Sequence, residues 1–135
     1  MAKMITNYVG KRIECIMVAT DMMSTVFSLV SATGDLPFYI NFRQRENSIV
    51  MNTRVHGKWQ YEKSQSSGGM NFYEPFRLVV EVRPSVFKVT VSTMGEEDGI
   101  TFNLQYSQIT IKPVEIVAMH LGYCNLRSEL LVTDL

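Results

Sequence analysis

Residues 38–43 alternate without a break, with Phe38, Ile40 and Phe42 apolar and Tyr39, Asn41 and Arg43 carrying polar ends. Successive side chains of a strand point to opposite faces, so this run predicts a strand with an apolar inner face and a polar outer one. The next run, from Ser48 to Thr53, is apolar and rich in β-branched residues, and Arg45-Glu46-Asn47 before it reads as the turn of a hairpin. The same reading predicts strands at 12–18, 24–31, 58–63, 77–83, 87–92, 100–104, 115–121 and 129–133. Pro84-Ser85 and His56-Gly57-Lys58 mark turns between them. No segment carries a convincing helical period. The nearest, 114–121, is β-branched at Val114, Ile116 and Val117 and fits a strand better. About ten short strands with turn signals at regular spacing predict an all-β fold, an antiparallel β-sandwich of two sheets, filling one domain over residues 1–135.

The polar face of 38–43 is where chemistry gathers. Antiparallel pairing across the hairpin sets Asn52 on the same face as Asn41 and Arg43. Two amides that donate and accept, beside a guanidinium that donates, can satisfy hydroxyls that both give and take hydrogen bonds, as those of a sugar do. Trp59 is the chain's one tryptophan, and an indole lying flat offers an apolar face to the C–H side of a pyranose. Glu62 adds an acceptor. A single tryptophan in a β-rich chain is more often core than ligand platform; it is the polar neighbours at fixed spacing that point outward here. Trp59 and Glu62 are three apart, so they share a face only if a bulge intervenes, and Gln60 stands where glycine would accept one most easily. The small polar run Ser64-Gln65-Ser66-Ser67-Gly68-Gly69 predicts a mobile loop at the rim.

Composition narrows the partners. Thirteen Lys plus Arg balance thirteen Asp plus Glu, which recommends neither nucleic acid nor an anionic membrane surface. No apolar run reaches the length of a membrane span, and the first residues lack the apolar core of a secretory signal, so synthesis in the cytosol is expected. A chain of this length buries about two-thirds of its unfolded surface, so it needs no staples. Cys15 and Cys124 are far apart and read as reduced, mostly buried thiols. His56 and His120 stand alone, Glu96-Glu97-Asp98 reads as a solvated turn, and no serine-nucleophile motif occurs, so neither a catalytic residue, a cofactor nor a metal is expected. The nine methionines, Met22-Met23 among them, read as adaptable core filling or, if exposed, an interaction surface.

The segment 38–62 resembles the carbohydrate-recognition segment of the galectins, β-galactoside-binding lectins whose pattern reads H-x-N-x-R, then V-x-N, then W-x-x-E-x-R. Asn41 and Arg43 match the first group, Val50 and Asn52 the second, and Trp59 and Glu62 the third, at the family's spacing. Similarity continues through Phe72-Tyr73-Glu74-Pro75-Phe76-Arg77, Phe87-Lys88-Val89-Thr90-Val91 and Val26-Phe27-Ser28-Leu29-Val30, nearly the whole chain. The resemblance implies a galectin-like jelly roll that binds glycans without catalysis. Trp59 would stack on the sugar, Asn41 and Arg43 hold ring hydroxyls, and Asn52 and Glu62 take the exocyclic hydroxyl and the next sugar, with Val50 beside them. It also implies a cytosolic protein able to leave the cell without a signal peptide, and a homodimer built on the edge that the terminal strands form, to which Leu130-Leu131-Val132 and the run from Ile13 to Val18 are candidates.

Three departures keep the ligand a separate question. Tyr39 stands where the family has histidine, Gln60 where it has glycine, and Ser64 where it has the last arginine, with Lys63 one residue earlier. Tyr39 is expected to weaken β-galactoside affinity or shift specificity. The alternative is a galectin fold that has lost β-galactoside binding and works through protein contacts or structurally.

Overall fold

The computed structural model describes residues 2–4, 8–94, 99–107 and 116–135, with the backbone alone for 2–4. Thirteen strands are seen among them: β1 (Ala2–Met4), β2 (Lys11–Ala19), β3 (Thr25–Ser31), β4 (Leu36–Arg43), β5 (Ser48–Val55), β6 (Lys58–Trp59), β7 (Lys63–Ser66), β8 (Phe76–Val82), β9 (Phe87–Thr93), β10 (Thr101–Tyr106), β11 (Ile116–Gly122), β12 (Cys124–Leu126) and β13 (Leu131–Asp134). One sheet runs β1-β11-β3-β4-β5, with β6 and β7 pairing successive parts of β5. The other runs β10-β9-β8-β2, with β12 and β13 sharing β2 in the same way. Every pairing is antiparallel, and the fold is the all-β sandwich expected. The acidic turn Glu96-Glu97-Asp98 and Glu115 lie outside the described residues.

Alternation decides what fills the space between the sheets. Phe27, Leu29, Phe38, Ile40, Phe42, Ile49 and Met51 from one sheet are fully buried against Ile13, Met17, Leu78, Val80, Phe87 and Val91 from the other. Phe42, Phe72 and Phe76 make a closed trio with ring centroids 4.9 to 5.3 Å apart. That trio joins β4, the segment before β8, and β8 itself, so it spans both layers. Beneath the far end of β4, Phe38 lies 4.9 Å from Phe87. At the edge, the Tyr106 hydroxyl donates to the Tyr61 carbonyl at 2.7 Å and Lys63 Nζ donates to the Gln105 carbonyl at 2.7 Å, tying β10 to the segment that carries β6 and β7.

Several expectations are corrected. The strand expected over 58–63 is two short strands. Ser64 to Ser66, expected in a loop, continue from Lys63 as β7, because the edge of β5 is otherwise left with unpaired backbone groups; Lys63 opposes Met51 and Ser66 opposes Ser48. Only Ser67-Gly68-Gly69 turns, with both glycines at positive φ. The run from Ile13 to Val18 lies inside its sheet, between β8 and the pair β12 and β13, so it is not an edge available to a second copy; β13 takes that position, with Leu131 and Leu135 about half exposed. Met22 and Met23 are exposed, whereas Met17, Met51, Met70 and Met119 are core.

Cys15 and Cys124 are free thiols, the first buried and the second partly so. Burial pushes the Cys15 thiol up to about 12 and the Tyr8 phenol up to about 12. Above their ordinary values of 9.0 and 10.0 the unfolded chain releases these protons while the folded chain holds them. Stability that is complete below pH 9 is therefore lost as the pH rises toward 12. Urea midpoints measured across that window are expected to fall steadily; a flat profile would show that neither group is shielded.

Candidate carbohydrate site

The β4–β5 register opposes Tyr39 to Asn52, Asn41 to Val50 and Arg43 to Ser48, which puts all of these on the outer face of the sheet. The hairpin that follows β5 turns through His56 and Gly57, both at positive φ (51° and 77°), as a two-residue turn requires. It returns with Lys58 opposite Val55 and Trp59 opposite Arg54. By Lys63 the partner is Met51, so residues 60–62 face only 52 and 53 on β5. One extra residue has been inserted, a β-bulge, and it turns Trp59 and Glu62 to the same face. Gln60 fills the bulge without a left-handed backbone, which is confined among non-glycine described residues to Asn47, His56 and Tyr123. Its N–H donates to the Thr53 carbonyl at 2.9 Å and to Asn52 Oδ1 at 3.2 Å.

Tyr39, Arg43, Val50, Asn52, Trp59 and Glu62 surround a hollow of about 220 Å³. Six of the seven residues expected at a sugar site are thus brought together. The seventh, Asn41, is buried at 3% exposure and does not line the hollow. Val50 closes the floor, also buried. Trp59 keeps 46% of its surface exposed, far from the core fate that a lone tryptophan most often meets. The Tyr39 ring leans on it with centroids 4.5 Å apart and planes at 56°, making an aromatic corner. Arg54 holds its guanidinium 5.4 Å from the indole centroid.

Polar groups around the corner are oriented by backbone donors. Asn52 Oδ1 accepts from the Thr53 N–H at 2.7 Å as well as from Gln60, so its NH₂ end is the one left for a ligand. Arg43 reaches Glu46 through one long contact of 3.5 Å, which leaves most of its donors unused among the described residues. Glu62 is exposed and has no ion-pair partner among the described residues. Arg54 was missed from sequence, although its place two residues after Asn52 on the same outer face was the available signal. Arg54 also borders a second hollow, of about 330 Å³, with Thr33, Gly34, Asp35, His56 and Gly57. There the His56 N–H donates to Asp35 at 2.8 Å and holds that carboxyl below its ordinary range. This second hollow lacks an aromatic wall.

A two-sheet antiparallel sandwich that presents a half-exposed indole, a guanidinium, an amide and a carboxylate on one outer face is a lectin-type β-sandwich. The chain belongs to the galectin family: the family model described as Galactoside-binding lectin matches residues 12–118. A 62-residue stretch is 38% identical to Galectin-3 of Oryctolagus cuniculus, covering 44% of this chain and 26% of that protein. The match thus spans about a quarter of its curated relative's length. In structure, the chain is similar to the Caenorhabditis elegans galectin LEC-6, with a TM-score of 0.80 at 16% identity over 99% of this chain and 90% of that one. It is also similar to sheep galectin-11, with a TM-score of 0.76 at 16% identity over 98% and 96% of the two chains. At such identities the structures speak for the fold.

Proposed function

We propose that this protein is a lectin that binds β-galactoside-containing or related glycans in the hollow beside Trp59 and catalyses nothing. The observation that carries the reading is the half-exposed indole bordering a polar hollow with Arg43, Asn52 and Glu62. An exposed tryptophan gives up water-covered apolar surface at little conformational cost when a flat sugar face covers it, while hydroxyls at the sugar's edge replace water on Asn52, Arg43 and Glu62. A hollow this shallow and wet supports weak binding, with Kd of order micromolar to millimolar. Useful avidity then comes from a second copy or a multivalent surface. The edge strand β13 offers a homodimer contact.

A broad glycan array with lactose as competitor tests the reading. Signal that lactose displaces supports a galectin-type specificity, and signal that ignores lactose supports a related glycan. Silence across the array would reject sugar binding in favour of the second reading, a galectin fold that works through protein contacts. One observation favours that alternative: Tyr39 rests against Trp59 and so covers part of the indole a sugar would use.

A further inference from the structure

Asn41 is locked from behind. Its Oδ1 accepts from the Thr25 backbone N–H at 3.1 Å and from Ser24 Oγ at 3.1 Å. A backbone N–H only donates, so the Thr25 contact fixes which end of the amide is oxygen. The NH₂ end therefore points the other way, where Nδ2 donates to the Tyr39 hydroxyl oxygen at 3.0 Å. That bond occupies one side of the phenol oxygen, and the hydroxyl proton is left to be given to something else. Tyr39 borders the hollow and Asn41 does not.

We infer that Tyr39 is a specificity-determining hydrogen-bond donor to the bound glycan, and that Asn41 is a positioning residue that aims the Tyr39 hydroxyl without touching the ligand. The inference rests on the lectin reading above. Asn52 is likewise turned to show its NH₂ end, and Arg43 only donates, so Tyr39, Asn52 and Arg43 form a row of donors faced by one dedicated acceptor, Glu62. The ligand group that meets Tyr39 must accept a hydrogen bond, and on lactose that group is a hydroxyl oxygen.

The test is calorimetric titration of lactose into the wild type, Tyr39→Phe, Asn41→Asp and the double variant. Tyr39→Phe keeps the ring against Trp59 and loses only the donor, so binding should weaken by about three- to tenfold. Asn41→Asp is nearly isosteric and can still accept from Thr25 and Ser24. A carboxylate cannot donate to the phenol oxygen, however; it draws the hydroxyl proton toward itself and away from the ligand. It should lose as much as Tyr39→Phe, and the double variant should lose no more than either single change. Within a panel of monodeoxy lactosides, one derivative should bind wild type and Tyr39→Phe alike, marking the hydroxyl that Tyr39 reads.

Unchanged affinity of Tyr39→Phe overturns the inference and leaves the lectin reading intact. So does an Asn41→Asp loss that persists in the Tyr39→Phe background, which would put the Asn41 amide on the sugar itself. A panel in which no deoxy derivative equalises the two proteins overturns it as well. Wild type that binds no lactose but binds a glycan of the array is titrated with that glycan, and unchanged affinity of Tyr39→Phe for it overturns the inference; wild type that binds neither removes the inference and the lectin reading together. Should Asn41→Asp fail to fold, Tyr39→Phe and the deoxy panel decide.

Discussion

Trp59→Ala is expected to abolish detectable glycan binding while leaving the domain folded. Covering one face of the indole with a pyranose is worth part of the roughly 1.5–3 kcal/mol available from burying a large apolar side chain. The whole interaction amounts to about 4–8 kcal/mol at micromolar to millimolar Kd. Losing about 2 kcal/mol of that is roughly thirtyfold, enough to push a weak site beyond titration. The fold has little at stake, because the indole is 46% exposed and touches the Tyr39 ring and the Arg54 guanidinium, not the inner layer. Thermal unfolding and lactose titration on the same sample separate the two effects. Binding that survives in a folded Trp59→Ala protein would take the indole out of the site.

Phe42→Ala is expected to have the opposite profile, a large loss of stability from a residue that no ligand touches. Removing a fully buried phenylalanine costs about 3–5 kcal/mol. Phe42 in addition gives up two ring contacts, with Phe72 at 5.3 Å and Phe76 at 4.9 Å. Against a typical total of about 5–15 kcal/mol, such a variant sits near the edge of folding at ambient temperature. Because Phe42 lies between Asn41 and Arg43 on β4, loosening it also loosens the site. Glycan affinity should therefore fall in step with the folded fraction in urea, and the two should be restored together at low temperature or by a saturating ligand. A Phe42→Ala protein with a wild-type urea midpoint would mean that the aromatic trio does not hold the layers together.

How much of this was legible in the chain depends on the range over which each feature is encoded. The alternation of Phe38 to Arg43 fixed which side chains face the core, and the Asn47 and His56-Gly57 turns were marked by residues that accept positive φ. β7 was not legible, since Lys-Ser-Gln-Ser carries no apolar alternation and becomes a strand only because β5 offers it an unpaired edge. β12 was hidden for a similar reason. Its three residues pair with the far end of β2, after Tyr123 at positive φ passes its carbonyl to the Thr20 N–H and the Thr25 hydroxyl.

By itself, then, the sequence determined an all-β sandwich, the inward and outward faces of its longer strands, and a set of sugar-compatible side chains on one of those faces. These follow from local periodicity and turn chemistry, which act within a few residues. Only the tertiary structure decided that a bulge at Gln60 turns Trp59 and Glu62 together, that Asn41 sinks beneath Tyr39, and that the amides of Asn41 and Asn52 show their NH₂ ends. Those outcomes depend on backbone donors brought in from Thr25 and from Gln60, 16 and 8 residues away, and a strand's own pattern of polar and apolar positions carries no record of which end of an amide its neighbours will claim.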